Sequence, residues 1–101
     1  MMIKYKEWTC NVLFSKYLVT GNTAIMLVDA DDGKQITTAT VNMGAKLPLD
    51  QAYIKTYSEN KGMLETLEGS GIVVEVIEYA KYGHAEVPLC RLNMDGITDT
   101  M

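Results

Sequence analysis

Apolar and polar residues alternate along most of this chain with a period of two, the signature of half-buried strands rather than helices. Ile3 and Tyr5 alternate with Lys4 and Lys6, whereas Trp8, Cys10, Val12 and Phe14 alternate on the opposite parity. The change of phase at Lys6-Glu7 calls for a bulge or a tight turn, so a short first strand should turn into a second over residues 9–17. Thr20-Gly21-Asn22 is a turn signal. The next run, residues 23–30, is apolar on both faces (Ala24, Ile25, Met26, Leu27, Val28), as expected of a central strand covered on both sides. Asp31-Asp32-Gly33 then closes a hairpin, and residues 35–43 return as a Thr-rich strand anchored by Ile36 and Val41. Residues 9–43 therefore read as a three-stranded meander.

The pattern changes at residues 54–76, which read strand, helix, strand. Ser58 is a suitable N-cap, Glu59 follows at the positive end of the helix dipole, and Met63, Leu64 and Leu67 fall on one face. Glu65 and Glu68 point away from that face, Lys61 and Glu65 are spaced to pair, and Gly69 is expected to end the helix. So short a helix is marginal alone in water, so it must dock on the sheet. Residues 52–57 form the strand that feeds it, after a loop over residues 44–49 that contains Pro48. Residues 72–79 form a strongly β-prone run, Gly83 makes a turn, and residues 85–92 form the last strand. Pro88 within that strand predicts an edge strand or a bulge, because proline cannot donate to a ladder. The expected fold is α+β: an antiparallel, meander-rich sheet of about six or seven strands, able to curl into a partly open barrel, with one short helix packed on it. Residues 1–93 are expected to form one globular domain and residues 94–101 a loose tail.

Composition sharpens this picture only slightly. The 101 residues are 48% apolar and 22% charged, which is ordinary for a folded domain. A net charge of −4 argues against a phosphate-binding surface, so no nucleic-acid partner is expected. No apolar run reaches the length of a membrane span, and the first residues lack the apolar core of a signal peptide. The expectation is a cytoplasmic protein with no membrane partner, in which Cys10 and Cys90 stay reduced.

Several short stretches resemble a known group of proteins. They are Ser15-Lys16-Tyr17, Gly21-Asn22-Thr23-Ala24-Ile25, Thr40-Val41-Asn42, Tyr53-Ile54-Lys55, Tyr57-Ser58-Glu59-Asn60, Gly62-Met63-Leu64, Gly71-Ile72-Val73 and Val87-Pro88-Leu89-Cys90. Together they resemble, across residues 3–92, an uncharacterised family of small proteins (a domain of unknown function) encoded on plasmids, phages and conjugative elements of gut bacteria. The resemblance implies a mobile-element context, where small acidic proteins often regulate transfer or inhibit host defences, and it supplies no catalytic residue or ligand. The chain departs from that family after the helix, where Val74-Glu75-Val76-Ile77-Glu78-Tyr79 replaces a Gly- and Thr-rich segment with a firmer strand.

Candidate chemistry is sparse. A nucleophile, base and orienter would have to come from Cys90, His84 and Asp95 or Glu86, but Cys90 lies in a strand without the helix-start setting that activates thiols. Asp29-Ala30-Asp31-Asp32-Gly33 opens like a calcium loop but fails its spacing, with Thr40 where the bidentate Glu should stand. No cofactor or metal is expected, and Gly69-Ser70-Gly71 ends a helix where a phosphate cradle must begin one. The carboxylates are too dispersed to imitate DNA phosphates. The aromatic residues are more promising, because tyrosine favours protein interfaces. Tyr79, Tyr82, His84 and Tyr57 are the candidate partner-binding residues. The expected function is that of a non-enzymatic accessory or inhibitory protein acting by protein–protein binding, with a homodimer through an exposed edge as one form of it. The competing reading is a small enzyme or ligand-binding domain with a pocket between helix and sheet.

Overall fold

A computed structural model describes residues 1–95. The strands form two antiparallel four-stranded sheets. The first contains β1 (Met2–Tyr5), β2 (Trp8–Lys16), β3 (Thr23–Asp29) and β4 (Gln35–Thr38), in that spatial order. The second contains β5 (Thr40–Val41), β6 (Gln51–Ile54), β7 (Val73–Tyr82) and β8 (Ala85–Leu92), in the order β5-β6-β8-β7. One helix, α1 (Met63–Gly69), packs against β7 of the second sheet and β1 of the first. The α+β reading holds, but the expected single sheet of six or seven strands is corrected to eight strands in two sheets. Among the described residues the strands do not close into a barrel.

The correction comes from one residue. The expected strand over residues 35–43 changes partners at Ala39: its N–H donates to Ile25 O at 2.8 Å, while its carbonyl accepts from Lys55 N at 2.8 Å. β4 therefore belongs to β3, and β5 belongs to β6. Ala39 is fully buried. The other expectations for the first half survive. The change of phase at Lys6-Glu7 is a two-residue turn, because Tyr5 pairs with Trp8. Lys6 adopts φ 54 there. β3 lies between β2 and β4 and is buried on both faces. Asp31-Asp32-Gly33 is the hairpin turn, with Gly33 at φ 75.

The helix is shorter than expected and both its ends move. Ser58 is not its cap: it sits at φ 60 in a separate 3-10 turn, Ser58–Asn60. Lys61 is then extended, and α1 begins only after Gly62, whose φ of 85 suits glycine. Lys61 thus lies outside the helix, and the pairing expected with Glu65 gives way to Lys55–Glu59 at 3.0 Å. Gly69 is the last helical residue rather than the stop. The left-handed residue is Gly71, at φ 82. Gly71 N donates to Glu68 O and Ile72 N to Leu67 O, the pair of bonds that defines a Schellman motif. Its apolar partner contact follows, since Ile72 and Leu67 are both buried in the core. Met63 and Leu67 are fully buried, Leu64 is half-buried, and Glu65 and Glu68 face solvent.

The core draws on both sheets: Ile25 and Leu27 from β3, Ile54 from β6, Cys90 and Leu92 from β8, and Met63 and Leu67 from α1. Fully burying a side chain such as Leu27 contributes about 1.5–3 kcal/mol. Met94 packs against this core, one residue into the expected tail, and residues 96–101 lie outside the described residues. Pro88 corrects another expectation, because β8 is an interior strand rather than an edge. β6 pairs only with Leu89–Arg91, so Pro88 is flanked by β7 alone and its missing N–H leaves no third strand unserved. The β7–β8 register shifts at Val76/Glu78, beside Pro88 but on the partner strand.

Candidate functional site

The β7–β8 hairpin runs well past the end of β6, and among the described residues no third strand pairs with it from Tyr79 to Pro88. Two residues, Gly83 and His84, make its turn, because Tyr82 pairs directly with Ala85. Gly83 takes φ 62 there. Residues paired across an antiparallel ladder share a face and successive residues alternate, so Ala80, Tyr82 and Val87 lie on one face while Tyr79, Lys81 and Pro88 lie on the other. The four candidate residues therefore separate. Tyr57 and Tyr82 come together, with ring centroids 5.8 Å apart and planes at 27°. Tyr79 is on the opposite face, and His84 stands exposed in the turn. Tyr79 and Tyr82 are each about half exposed, at 56% and 49%.

Charge organises the Tyr57–Tyr82 pair. Lys55 Nζ lies 5.5 Å from the centre of the Tyr57 ring and donates to Glu59 Oε2 at 3.0 Å. That hydrogen bond from Lys55, with others from backbone and the Ser58 hydroxyl, lowers the Glu59 carboxyl to about 2. The same bond raises the Lys55 ammonium. Burial, then the neighbouring Tyr82, raises the Tyr57 hydroxyl. The Ser58–Asn60 turn that carries Glu59 is itself pinned down. Glu59 O accepts from Tyr5 OH at 2.9 Å and from Lys6 Nζ at 2.7 Å. Asn60, fully buried, accepts from Thr37 Oγ1 at 2.6 Å and donates to Thr38 O at 2.8 Å. The stacked tyrosines thus rest on a rigid base.

The residues weighed for catalysis are not gathered. Cys90 is buried in the core, where burial pushes its thiol up to about 12. His84 is six positions away along extended chain, about 20 Å at strand spacing. Cys10 is likewise a buried free thiol, raised by burial and by Asp29. The Asp29–Gly33 carboxylates cap their own turn instead of opening toward a cation: Asp31 N donates to Asp29 Oδ1 and Lys34 N to Asp32 Oδ1. A shallow groove of about 400 Å³ separates β1 from α1, lined by Met2, Lys4, Glu65, Thr66 and Ser70 among others.

One surface escaped the sequence reading. Residues 17–22 join β2 to β3, and at their tip Leu18 and Val19 are 101% and 95% exposed. The loop is tied closed by Tyr17 N to Asn22 O and Gly21 N to Tyr17 O, both 2.8 Å. Tyr17 OH and Thr40 Oγ1 lie 2.8 Å apart. Buried Asn22 locks the loop to residues 45–49, donating to Ala45 O and accepting from Leu47 N, each at 2.8 Å. Thr23 Oγ1 donates to Leu49 O at 2.7 Å. Alternation ended at Tyr17 and the turn signal began at Thr20, so this aliphatic pair belonged to no expected element.

Comparison with known proteins places the chain in no family: no family model, no curated protein and no solved structure matches it.

Proposed function

We propose that this chain is a non-enzymatic binding protein, an accessory or inhibitory factor of a mobile genetic element, that acts through the projecting β7–β8 hairpin. The observation that carries this reading is the half-exposed tyrosine pair Tyr79 and Tyr82 on a strand with one flank unpaired. Such a strand offers a partner backbone donors and acceptors as well as aromatic area. Tyr57 braces Tyr82 from beneath, so that ring is pre-ordered and costs less entropy to bind. The mobile-element setting rests on the sequence resemblance described above. The free flank of β7 also suits a second copy of the chain, which makes a homodimer one form of the same mechanism.

The test is affinity capture of tagged protein from its own host at low salt, with mass spectrometry, comparing wild type with the Y79A/Y82A variant. Interface tyrosines commonly cost about 2 kcal/mol or more when truncated, so the variant should lose its partner by roughly 30-fold while its melting curve holds. A partner retained undiminished by the variant, or repeated failure to recover any partner, would overturn the reading. The groove between β1 and α1 favours the competing reading of a ligand-binding domain, which a thermal-shift screen of small metabolites checks directly.

A further inference from the structure

We infer that the end of the molecule built from the β2–β3 loop and residues 44–49 is a docking surface for an anionic phospholipid bilayer. This surface is separate from the β7–β8 hairpin and does not depend on the function proposed for it. Two fully exposed aliphatic side chains, Leu18 and Val19, form a convex tip that the hydrogen bonds of Asn22 and Thr23 hold in place. Beside it the second loop exposes Pro48 and Leu49. The tip is therefore a broad apolar end rather than a single stray side chain.

Charge selects the occupant. Lys16 flanks the tip on one side, and Lys46 lies between Ala45 and Leu47, the two residues bonded to the Asn22 side chain. The segments that supply this end, residues 15–23 and 40–49, contain no Asp or Glu, and the one acid that adjoins them in sequence, half-buried Asp50 next to Leu49, is outnumbered by Lys16 and Lys46. The nearest acidic group on the same strand is Asp29 with its neighbours Asp31 and Asp32 at the far end of β3. Six strand steps place that group about 20 Å from Thr23. At physiological salt the Debye length is about 8 Å, so the acidic end does not cancel the basic one. A net acidic protein thus presents one end that is apolar at its apex and basic at its rim. A fluid bilayer receives a convex tip without a matched pocket, whereas a folded partner must supply one. Lysines near an anionic leaflet add to the burial of the apex. The helix content is irrelevant to this mode, in which the protein lies on the surface and spans nothing.

Co-sedimentation with vesicles tests the inference. At low ionic strength the wild-type protein should pellet with vesicles containing about 30% phosphatidylserine and release as salt is raised, and bind pure phosphatidylcholine much less. L18S/V19S should weaken that binding about tenfold, and K16E/K46E by a similar factor, with melting curves unchanged because all four side chains lie outside the core. Failure of the wild type to pellet with anionic vesicles would overturn the inference, as would equal binding by L18S/V19S. Size-exclusion of the same proteins without lipid closes the remaining route. A wild-type dimer that L18S/V19S converts to monomer would assign the tip to a second copy of the chain and overturn the bilayer assignment.

Discussion

Strands β3 and β7 are both rich in apolar residues, yet they meet opposite fates. β3 reads Thr-Ala-Ile-Met-Leu-Val-Asp and is buried along nearly its whole length. β7 reads Val-Val-Glu-Val-Ile-Glu-Tyr-Ala-Lys-Tyr and is exposed along most of it. The difference lies in their neighbours. β3 has a strand on each flank and is buried on both faces, whereas β7 has β8 on one flank and, among the described residues, no strand on the other. Its Glu75, Glu78 and Lys81 and its two register shifts are the devices by which edge strands resist indiscriminate pairing. Apolar content therefore marks a strand, and interspersed charge marks an edge.

This contrast can be broken most sharply by truncation. Leu27→Ala in β3 should cost about 2–5 kcal/mol, because the side chain is fully buried and leaves a cavity. Ile77→Ala in β7 should stay within about 0.5–1 kcal/mol, as surface changes do. Denaturant unfolding of both variants measures the difference, and equal losses would mean that β7 is covered in solution. Next in size is Asn60→Ala, which removes the short bond from Thr37 Oγ1 to Asn60 Oδ1 and the bond from Asn60 Nδ2 to Thr38 O, and so frees the 3-10 turn from β4. A loss of about 1–3 kcal/mol is expected for a buried hydrogen-bond network broken on one side. The smallest effect is electrostatic. Glu59 is held at about 2 in the folded protein against an ordinary 4.5, so its pairing with Lys55 stabilises the fold above about 4.5 and fades as pH falls toward 2. The melting temperature of wild type and Glu59→Gln should converge over that window, and a gap that persists at pH 2 would assign the effect to something other than the carboxylate.

Much of the fold was legible because it is local. The last strand falls where it was expected after the Gly83 turn, at Ala85–Leu92, and the Asp-Gly turn closes the β3–β4 hairpin. What the sequence hid is non-local. The switch of sheets at Ala39 changes only which backbone receives its hydrogen bonds and leaves no trace in the period of two. Ser58 offered a good cap, but the buried Asn60 beside it and the glycine at 62 set the chain's path instead. Two glycines, at 69 and 71, competed to end the helix, and the one followed by a buried Ile72 prevailed. Pro88 read as an edge marker because sequence shows a strand's residues but not how far its neighbour extends. For the site, the separation of Tyr79 from Tyr82 was readable, since three positions apart on a strand means opposite faces. The meeting of Tyr82 with Tyr57 was not, because it depends on how far the hairpin overruns β6.

Ala39 also bears on how the molecule can come apart. Because the Ala39 amide and carbonyl, together with the bond from Ile25 N to Thr40 Oγ1, tie one layer to the other, neither quartet of strands is a module that could be excised with its bonding intact. A fragment ending before Ala39 strips Ile25 O of its donor, and one beginning after it strips Lys55 N of its acceptor. Since the two layers also share one apolar core, the halves are expected to unfold as a unit rather than as two smaller domains.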